Sequence, residues 1–114
     1  MGERMLTRQP YAFSVGRTEA YCVVRVAGEL DIAAVPHMRI AVQAACRHAG
    51  HVAVDLREVS FVDCFALHAL TELQEDMRDL PSFHVVPGAG IQRLLDLTGE
   101  RAALDWISAE QLGG

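Results

Sequence analysis

Apolar residues along the chain alternate between two patterns: short β-rich runs, and longer stretches in which apolar residues lie three and four positions apart. The runs lie at residues 11–15 (YAFSV), 20–28 (AYCVVRVAG), 51–56 (HVAVDL), 83–86 (FHVV) and 104–107 (LDWI). They predict strands, and the turn-like GRTE between the first two predicts a hairpin. The nearly all-apolar HVAVDL is typical of a short strand that is buried on both faces of a sheet.

The stretches between the later strands carry the spacing of one helical face. The first stripe contains Val35, Met38, Val42, Ala45 and Ala49, and the second contains Ala66, Leu70, Leu73, Met77 and Leu80. Pro36 suits the first turn of a helix, where no intrahelical hydrogen bond is lost, and Gly50 suits its end. Pro81 predicts the end of the second helix. The segment PGAGIQRLLDLTG predicts a loop, a short third helix and a glycine stop.

This order of elements predicts one α/β domain over residues 11–114, with a mostly parallel sheet flanked by helices and an N-terminal hairpin. Residues 1–10 (MGERMLTRQP) are polar and end in proline, so we expect a loose leader there. The core should be built from Val35, Val52, Val54, Leu56, Leu70, Leu73, Val85, Leu94 and Leu95.

Composition narrows the classes of function. The 114 residues suffice for one compact domain. No apolar run approaches the ~20 residues of a membrane helix, and the N-terminus lacks the apolar core of a signal peptide, so we expect a cytoplasmic protein with no membrane partner. A net charge of −5 with scattered arginines disfavours nucleic-acid binding. Three cysteines, an odd number, argue against a disulfide framework.

Candidate chemistry gathers where the predicted parallel strands end, because sites in open parallel sheets lie at the carboxyl ends of the strands. GELD (28–31), SFVDC (60–64) and PGAG (87–90) follow three of these strands. They should bring Asp31, Asp63, Cys64 and His68 to one edge of the sheet. Asp63 directly precedes a helix, which predicts an N-cap.

Two chemical alternatives start from Cys64 and His68, which are four residues apart on one helical face. With Asp63 they form a weak metal motif, because only two or three ligands are available. As a nucleophile and base they lack an orienting partner and an oxyanion hole. We therefore expect no enzyme activity, no metal and no cofactor.

Three segments together resemble the STAS domain family, the anti-sigma factor antagonists. They are VVRVAGELDIAAVPHMRIAV, VAVDLREVSFVDCFALHAL and VPGAGIQRLLDLTG, and the resemblance spans residues 11–107. It implies a four- or five-stranded sheet flanked by helices. It also implies a non-catalytic role: binding a GHKL-type serine kinase that is an anti-sigma factor, so that a sigma factor is released. We expect the partner to contact Glu29, Asp31, Asp63, Cys64, Phe65 and His68, and the protein to be a monomer or weak homodimer.

The resemblance places Cys64 where phospho-regulated members of the family carry a serine or threonine. A phosphate there adds close to two negative charges, which a cysteine cannot accept from a serine kinase. The usual phosphorylation switch should therefore be lost, and Cys64 should be inert, with Phe65 shielding the sulfur. The alternative is a redox switch, because a thiol at a helix N-terminus can have its pKa lowered by the helix dipole.

Overall fold

The computed structural model describes residues 10–98 and 106–113 of the chain. Within these parts the strands are β1 (Tyr11–Arg17), β2 (Cys22–Leu30), β3 (His51–Val62) and β4 (Ser82–Val86). The helices are α1 (Val35–His48), α2 (Cys64–Asp76), α3 (Ala89–Thr98) and the short α4 (Ala109–Leu112). None of these helices has the length and apolar character needed to cross a bilayer.

The strands form one mixed sheet in the order β1-β2-β3-β4. β1 pairs with β2 antiparallel, which confirms the predicted hairpin, and β2, β3 and β4 run parallel. The predicted strand at 104–107 is reduced, in its described part, to one parallel bridge between Trp106 and Val85. Residues 1–9 and 99–105 lie outside the described residues, so the leader remains a prediction except at Pro10. The Pro10 carbonyl accepts a hydrogen bond from the Glu29 N–H at 3.0 Å.

β3 is longer than predicted, because it continues for six residues beyond Leu56 through REVSFV. This outer half still pairs with the end of β2, where Ala27 lies opposite Glu58 and Leu30 lies opposite Val62. Register shifts in β2–β3 pairing separate the outer half from the inner one. The expectation of a short strand was wrong because it followed the apolar run alone, whereas backbone pairing also continues where side chains face solvent.

The core lies between the sheet and its helices. Seven of the nine predicted core residues are buried, and the other two, Val35 and Leu94, are half-buried against the same cluster. α1 carries Pro36 in its first turn, as predicted. α2 ends at Asp76, earlier than Pro81 suggested, because the hydrogen bonds that follow span three residues, as in a turn, for example Leu80 N–H to Met77 O at 3.0 Å.

The opposite face of the sheet packs against a smaller element, the C-terminal segment that contains α4. Val23, Ala53 and Val86 on this face pack with Ile107 and Leu112 from the C-terminal segment. The Thr18 hydroxyl donates a hydrogen bond to the Leu112 carbonyl at 2.9 Å, which ties α4 to the β1–β2 turn. The remainder of this face carries Arg25 and Asp55, which follow Val23 and Ala53 by two positions in their strands.

Candidate functional site

The Asp63 carboxylate joins two loops at the carboxyl edge of the sheet. Its Oδ1 accepts a hydrogen bond from the Ala66 N–H at 2.9 Å, which confirms the predicted N-cap of α2. Its Oδ2 accepts from the Ile32 N–H at 3.2 Å, in the loop between β2 and α1. One side chain therefore begins a helix and holds a loop that is 31 residues distant in sequence.

Asp31 organises the same loop from within. Its Oδ1 accepts hydrogen bonds from the Ala33 and Ala34 N–H groups at 3.0 and 3.2 Å. Within the described parts of the chain, neither Asp31 nor Asp63 forms a salt bridge. Both carboxylates are thus held by backbone N–H groups, and none of the described arginine or histidine side chains forms an ion pair with either of them.

Cys64, Phe65 and His68 follow along the first turns of α2. Cys64 is a free, exposed cysteine, and the Phe65 residue is 66% exposed. The expectation that Phe65 shelters Cys64 from solvent was therefore wrong, because both residues lie on the solvent side of the helix start. The His68 side chain is also exposed, with its Nε2 atom 3.5 Å from the Glu72 Oε2 atom.

The geometry of Cys64 and His68 matches neither a metal site nor a pair of nucleophile and base. No hydrogen bond joins Cys64 to His68 among the described residues, and His68 is directed to Glu72 instead. Within residues 10–98 and 106–113, no group of three or more His, Cys, Asp or Glu side chains is arranged to hold a metal ion. The other two cysteines lie in other elements: Cys22 begins β2 and Cys46 lies near the end of α1. Burial, with a contribution from Cys22, raises the pKa of the Cys46 thiol to about 11.

Sequence reasoning missed two apolar residues of this edge, Ile32 and Phe61, which are 58% and 53% exposed. Ile32 is bonded to Asp63 through its N–H, while Phe61 and Phe65 lie two residues before and after Asp63. We call Ile32, Phe61 and Phe65 the apolar edge patch. The signal in the sequence was Phe61 itself, a large apolar residue in the polar second half of a strand.

A shallow groove adjoins the patch between the outer half of β3 and α3. It has a volume of about 130 Å³ and is lined by Val59, Ser60, Phe61, Val62, Ile91 and Leu94. The surrounding segments, residues 28–35 and 58–68, contain Glu29, Asp31, Glu58 and Asp63 but no lysine or arginine. These two segments therefore carry only acidic charges, while Arg57 and Arg93 border the groove on the β3 and α3 sides.

A contrasting carboxylate, Asp55, lies in the inner half of β3 and is only 4% exposed. The Arg57 guanidinium donates two hydrogen bonds to the Asp55 carboxylate, at 2.9 and 2.8 Å, and the Arg57 backbone N–H donates a third at 3.0 Å. The Arg25 Nε atom lies 3.7 Å from the Asp55 Oδ2 atom. Burial alone would raise the pKa of Asp55, but the hydrogen bonds from Arg57 and the two guanidinium charges outweigh it, so the pKa is lowered. The negative charge of Asp55 is therefore balanced by arginine side chains of the same domain.

The sequence matches the protein family described as "Mlab, STAS domain" over residues 13–100. The chain belongs to the STAS domain family. The match covers both halves of the Asp63 junction, β3 and α2. No curated protein matches the chain.

Solved structures with the same fold include several anti-sigma factor antagonists. One from Mycobacterium paratuberculosis is 26% identical, covers 84% of each chain and superposes with a TM-score of 0.74. The phosphorylated form of the Bacillus cell fate determinant SpoIIAA is 18% identical over 88% of this chain and 95% of its own, with a TM-score of 0.61. The murine anion transporter Slc26a9 is similar over 94% of this chain but only 22% of its own, at 15% identity and a TM-score of 0.66.

Proposed function

We propose that this STAS domain is a non-catalytic regulatory protein that binds an anti-sigma factor of the GHKL serine-kinase type in the cytoplasm and thereby releases a sigma factor. The apolar edge patch around Asp63 supports this role. Three large apolar side chains that are each more than half exposed lie either within two residues of Asp63 or on the residue whose N–H it accepts, and such a concentration favours an interaction surface. The similarity to the Mycobacterium paratuberculosis anti-sigma factor antagonist supports the class of partner.

The contacts would divide between apolar and charged residues. Phe65, with Ile32 and Phe61 beside it, would fill an apolar pocket of the partner, because exposed aromatic side chains are common energetic centres of interfaces. Glu29 would face a basic residue, since its side chain is exposed and makes no salt bridge with the described residues. His68 and Cys64 complete the surface along α2.

The binding test begins with capture of the partner from native cytoplasm and its identification by mass spectrometry, followed by titration calorimetry with purified proteins. Phe65→Ser should weaken binding roughly tenfold or more. The matched control is Leu97→Ser, which removes another exposed apolar side chain, 79% exposed, from α3. Binding that survives Phe65→Ser unchanged would place the interface elsewhere.

Charge is tested separately at Glu29. Asp31→Arg and Asp63→Arg are poor charge tests, because both carboxylates accept backbone hydrogen bonds that an arginine cannot accept. Glu29→Arg reverses a charge without removing such a bond and should weaken binding several-fold. Asp79→Arg, an exposed reversal in the turn after α2, should leave the affinity unchanged.

We also propose that Cys64 occupies the phospho-acceptor position and that phosphorylation control is absent. Incubation with the purified partner kinase and ATP should give no stoichiometric phosphate on residues 60–71. A Cys64→Ser variant, which restores a hydroxyl to the same site, should then become a substrate. Stoichiometric phosphate on the wild-type protein in this segment would refute the proposal.

The exposure of Cys64 favours a second candidate function, a redox-responsive STAS switch. Peroxide converts an exposed thiol first to a sulfenate and then to a sulfinate, which adds a negative charge close to Asp63. Cys64→Asp, which imitates that charge, should weaken partner binding, whereas Cys64→Ala should retain it. Release of the partner by mild peroxide, absent in Cys64→Ala, would establish this candidate; binding that is insensitive to peroxide would exclude it.

A further inference from the structure

Among the residues that the structure describes, β1 is an edge strand without the features that usually protect a sheet edge. Within the described residues it pairs only with β2, and this pairing continues over all seven residues without a register shift. Residues 11–16 (YAFSVG) contain no charged residue and no proline. Exposed edges normally carry lysine, proline or a bulge, because unpaired N–H and C=O groups attract other strands. This edge carries none of them before Arg17.

The hydrogen bonds to β2 show which backbone groups of β1 point outward. Pro10 C=O and Thr18 N–H both bond to the β2 side, with Glu29 and Tyr21. In an antiparallel ladder the N–H and C=O of one residue point to the same side, and successive residues alternate. The residues facing β2 are therefore Pro10, Ala12, Ser14, Gly16 and Thr18. The residues whose backbone groups face outward are Tyr11, Phe13, Val15 and Arg17.

Apolar surface accompanies this open edge on the helix side of the sheet. Val15 is 59% exposed beside a groove of about 410 Å³ that is also lined by Cys22, Ala44, Ala45 and His48. Ile40, 67% exposed, lies one helical turn from His37 and from Ala44 along α1. The His37 ring contacts Tyr11 of β1 with a centroid separation of 5.5 Å, so this side of α1 borders the edge.

We propose that β1 pairs antiparallel with β1 of a second copy of this chain, about a two-fold axis that passes between the two Ser14 residues. In this register Phe13 lies opposite Val15 of the second copy, and Tyr11 lies opposite Arg17. Every outward N–H and C=O of the four outward-facing residues then has a partner. If one β1 strand were shifted by one residue, outward-facing residues of one copy would lie opposite residues of the other copy that face β2. The hydrogen bonds between the two β1 strands could then not form.

The side chains agree with this register. On the helix side, each Val15 is covered by an aromatic ring, an arrangement that stabilises antiparallel pairs. On the other side, Ala12, Ser14 and Gly16 are small, and the Arg25 guanidinium of the same copy lies against Gly16. No like charges lie opposite each other, because Arg17 faces Tyr11.

The dimer would form a continuous eight-stranded sheet with α1, α2 and α3 of both copies on one face and α4 of both copies on the other. Because the axis stands perpendicular to the sheet, the two Asp63 edges point to opposite ends and stay accessible. The interaction is therefore independent of the proposed partner binding, and one dimer presents two apolar edge patches.

The first test is sedimentation analysis of the full chain over a series of concentrations. Val15→Lys should raise the dimer dissociation constant roughly tenfold or more. The reason is that the pair of Phe13 and Val15 occurs twice in a two-fold dimer, so one substitution removes both copies of this contact. Ala12→Lys makes the same charge change in the same strand, but its side chain lies opposite Gly16 on the other face, and it should keep the dimer. Unfolding in urea establishes that both variants fold. A protein that stays monomeric at every concentration, or a dimer that resists Val15→Lys or is lost equally with Ala12→Lys, would overturn the proposal.

The second test traps the register with a disulfide in a Cys64→Ala background. Directly opposed residues of a non-hydrogen-bonded antiparallel pair have Cα atoms about 4.5 Å apart, within the range of a disulfide. Ser14→Cys should therefore give a covalent dimer on mild oxidation, mapped by mass spectrometry to the introduced thiols. In Ala12→Cys the two introduced thiols lie on Cα atoms about 13 Å apart and should not cross-link. Cross-linking through Ala12→Cys, or none through Ser14→Cys, would overturn this register.

Discussion

Asp55 and Asp63 belong to the same stretch of chain, yet the fold treats their charges in opposite ways. Asp55 is buried in the inner half of β3 and is held by Arg57, with Arg25 nearby. Asp63 follows the exposed outer half and, among residues 10–98 and 106–113, is held by the N–H groups of Ala66 and Ile32. A buried carboxylate with its own cations stabilises the fold, whereas a capping carboxylate without one leaves negative charge for a partner. Substitutions at these two positions should therefore separate stability from binding.

The largest loss of stability should follow removal of the buried carboxylate. Asp55→Ala leaves both guanidinium groups without their acceptor and should lower the free energy of unfolding by about 2 kcal/mol. The loss stays below that of a fully buried ion pair, because the Arg57 and Arg25 side chains are 42% and 47% exposed and can be hydrated. Urea unfolding measures it, with the exposed Asp76→Ala as control. A change under about 0.5 kcal/mol would contradict a structural role for this cluster.

The same carboxylate should make stability depend on pH in acid. Because the pKa of Asp55 is lowered in the folded state, its contribution is complete above the unfolded value of 3.8 and is lost as the pH falls through the folded pKa. The difference in unfolding free energy between the wild type and Asp55→Asn should thus shrink as the pH falls below about 4. Urea titrations at a series of acidic pH values test this. A difference that stays constant or grows in acid would refute it.

A smaller loss is expected at the candidate site. Asp63→Ala removes the N-cap of α2 and the bond to Ile32 and should cost about 1 kcal/mol. Asp63→Asn keeps an oxygen that can accept the Ala66 N–H, but its amide NH2 cannot accept the Ile32 N–H, so the loss of stability should be about 0.5 kcal/mol, smaller than in Asp63→Ala. Its partner binding should nevertheless fall several-fold, because the negative charge is gone. Equal affinity of Asp63→Asn and wild type would show that the cap, not the charge, matters at this edge.

The smallest effect on stability is expected from the apolar edge patch itself. Phe65 is 66% exposed, so Phe65→Ser should change the unfolding free energy by less than about 0.5 kcal/mol while it weakens partner binding. Chemical denaturation and calorimetry on the same preparation make the comparison direct. A stability loss above about 1 kcal/mol would instead assign the ring to the core.

Local sequence patterns were sufficient for the elements and for one contact of the site. The apolar stripes predicted α1 and α2, and the predicted core residues are buried or half-buried. Asp63 was predicted as an N-cap because capping involves backbone groups only three residues away. The STAS resemblance likewise followed from short motifs that are visible directly in the sequence.

Solvent exposure and long-range pairing were decided only by the tertiary structure. The pattern of REVSFV does not show that it extends β3, because its partner residues in β2 lie far away in sequence. Nor does it show that Phe61 and Phe65 face solvent, since an apolar residue is buried only where another element packs on it. Ile32 meets Asp63, and Arg57 neutralises a buried Asp55, only after the sheet has formed. Periodicity specifies local conformation, whereas exposure and charge pairing depend on which distant segments the fold brings together.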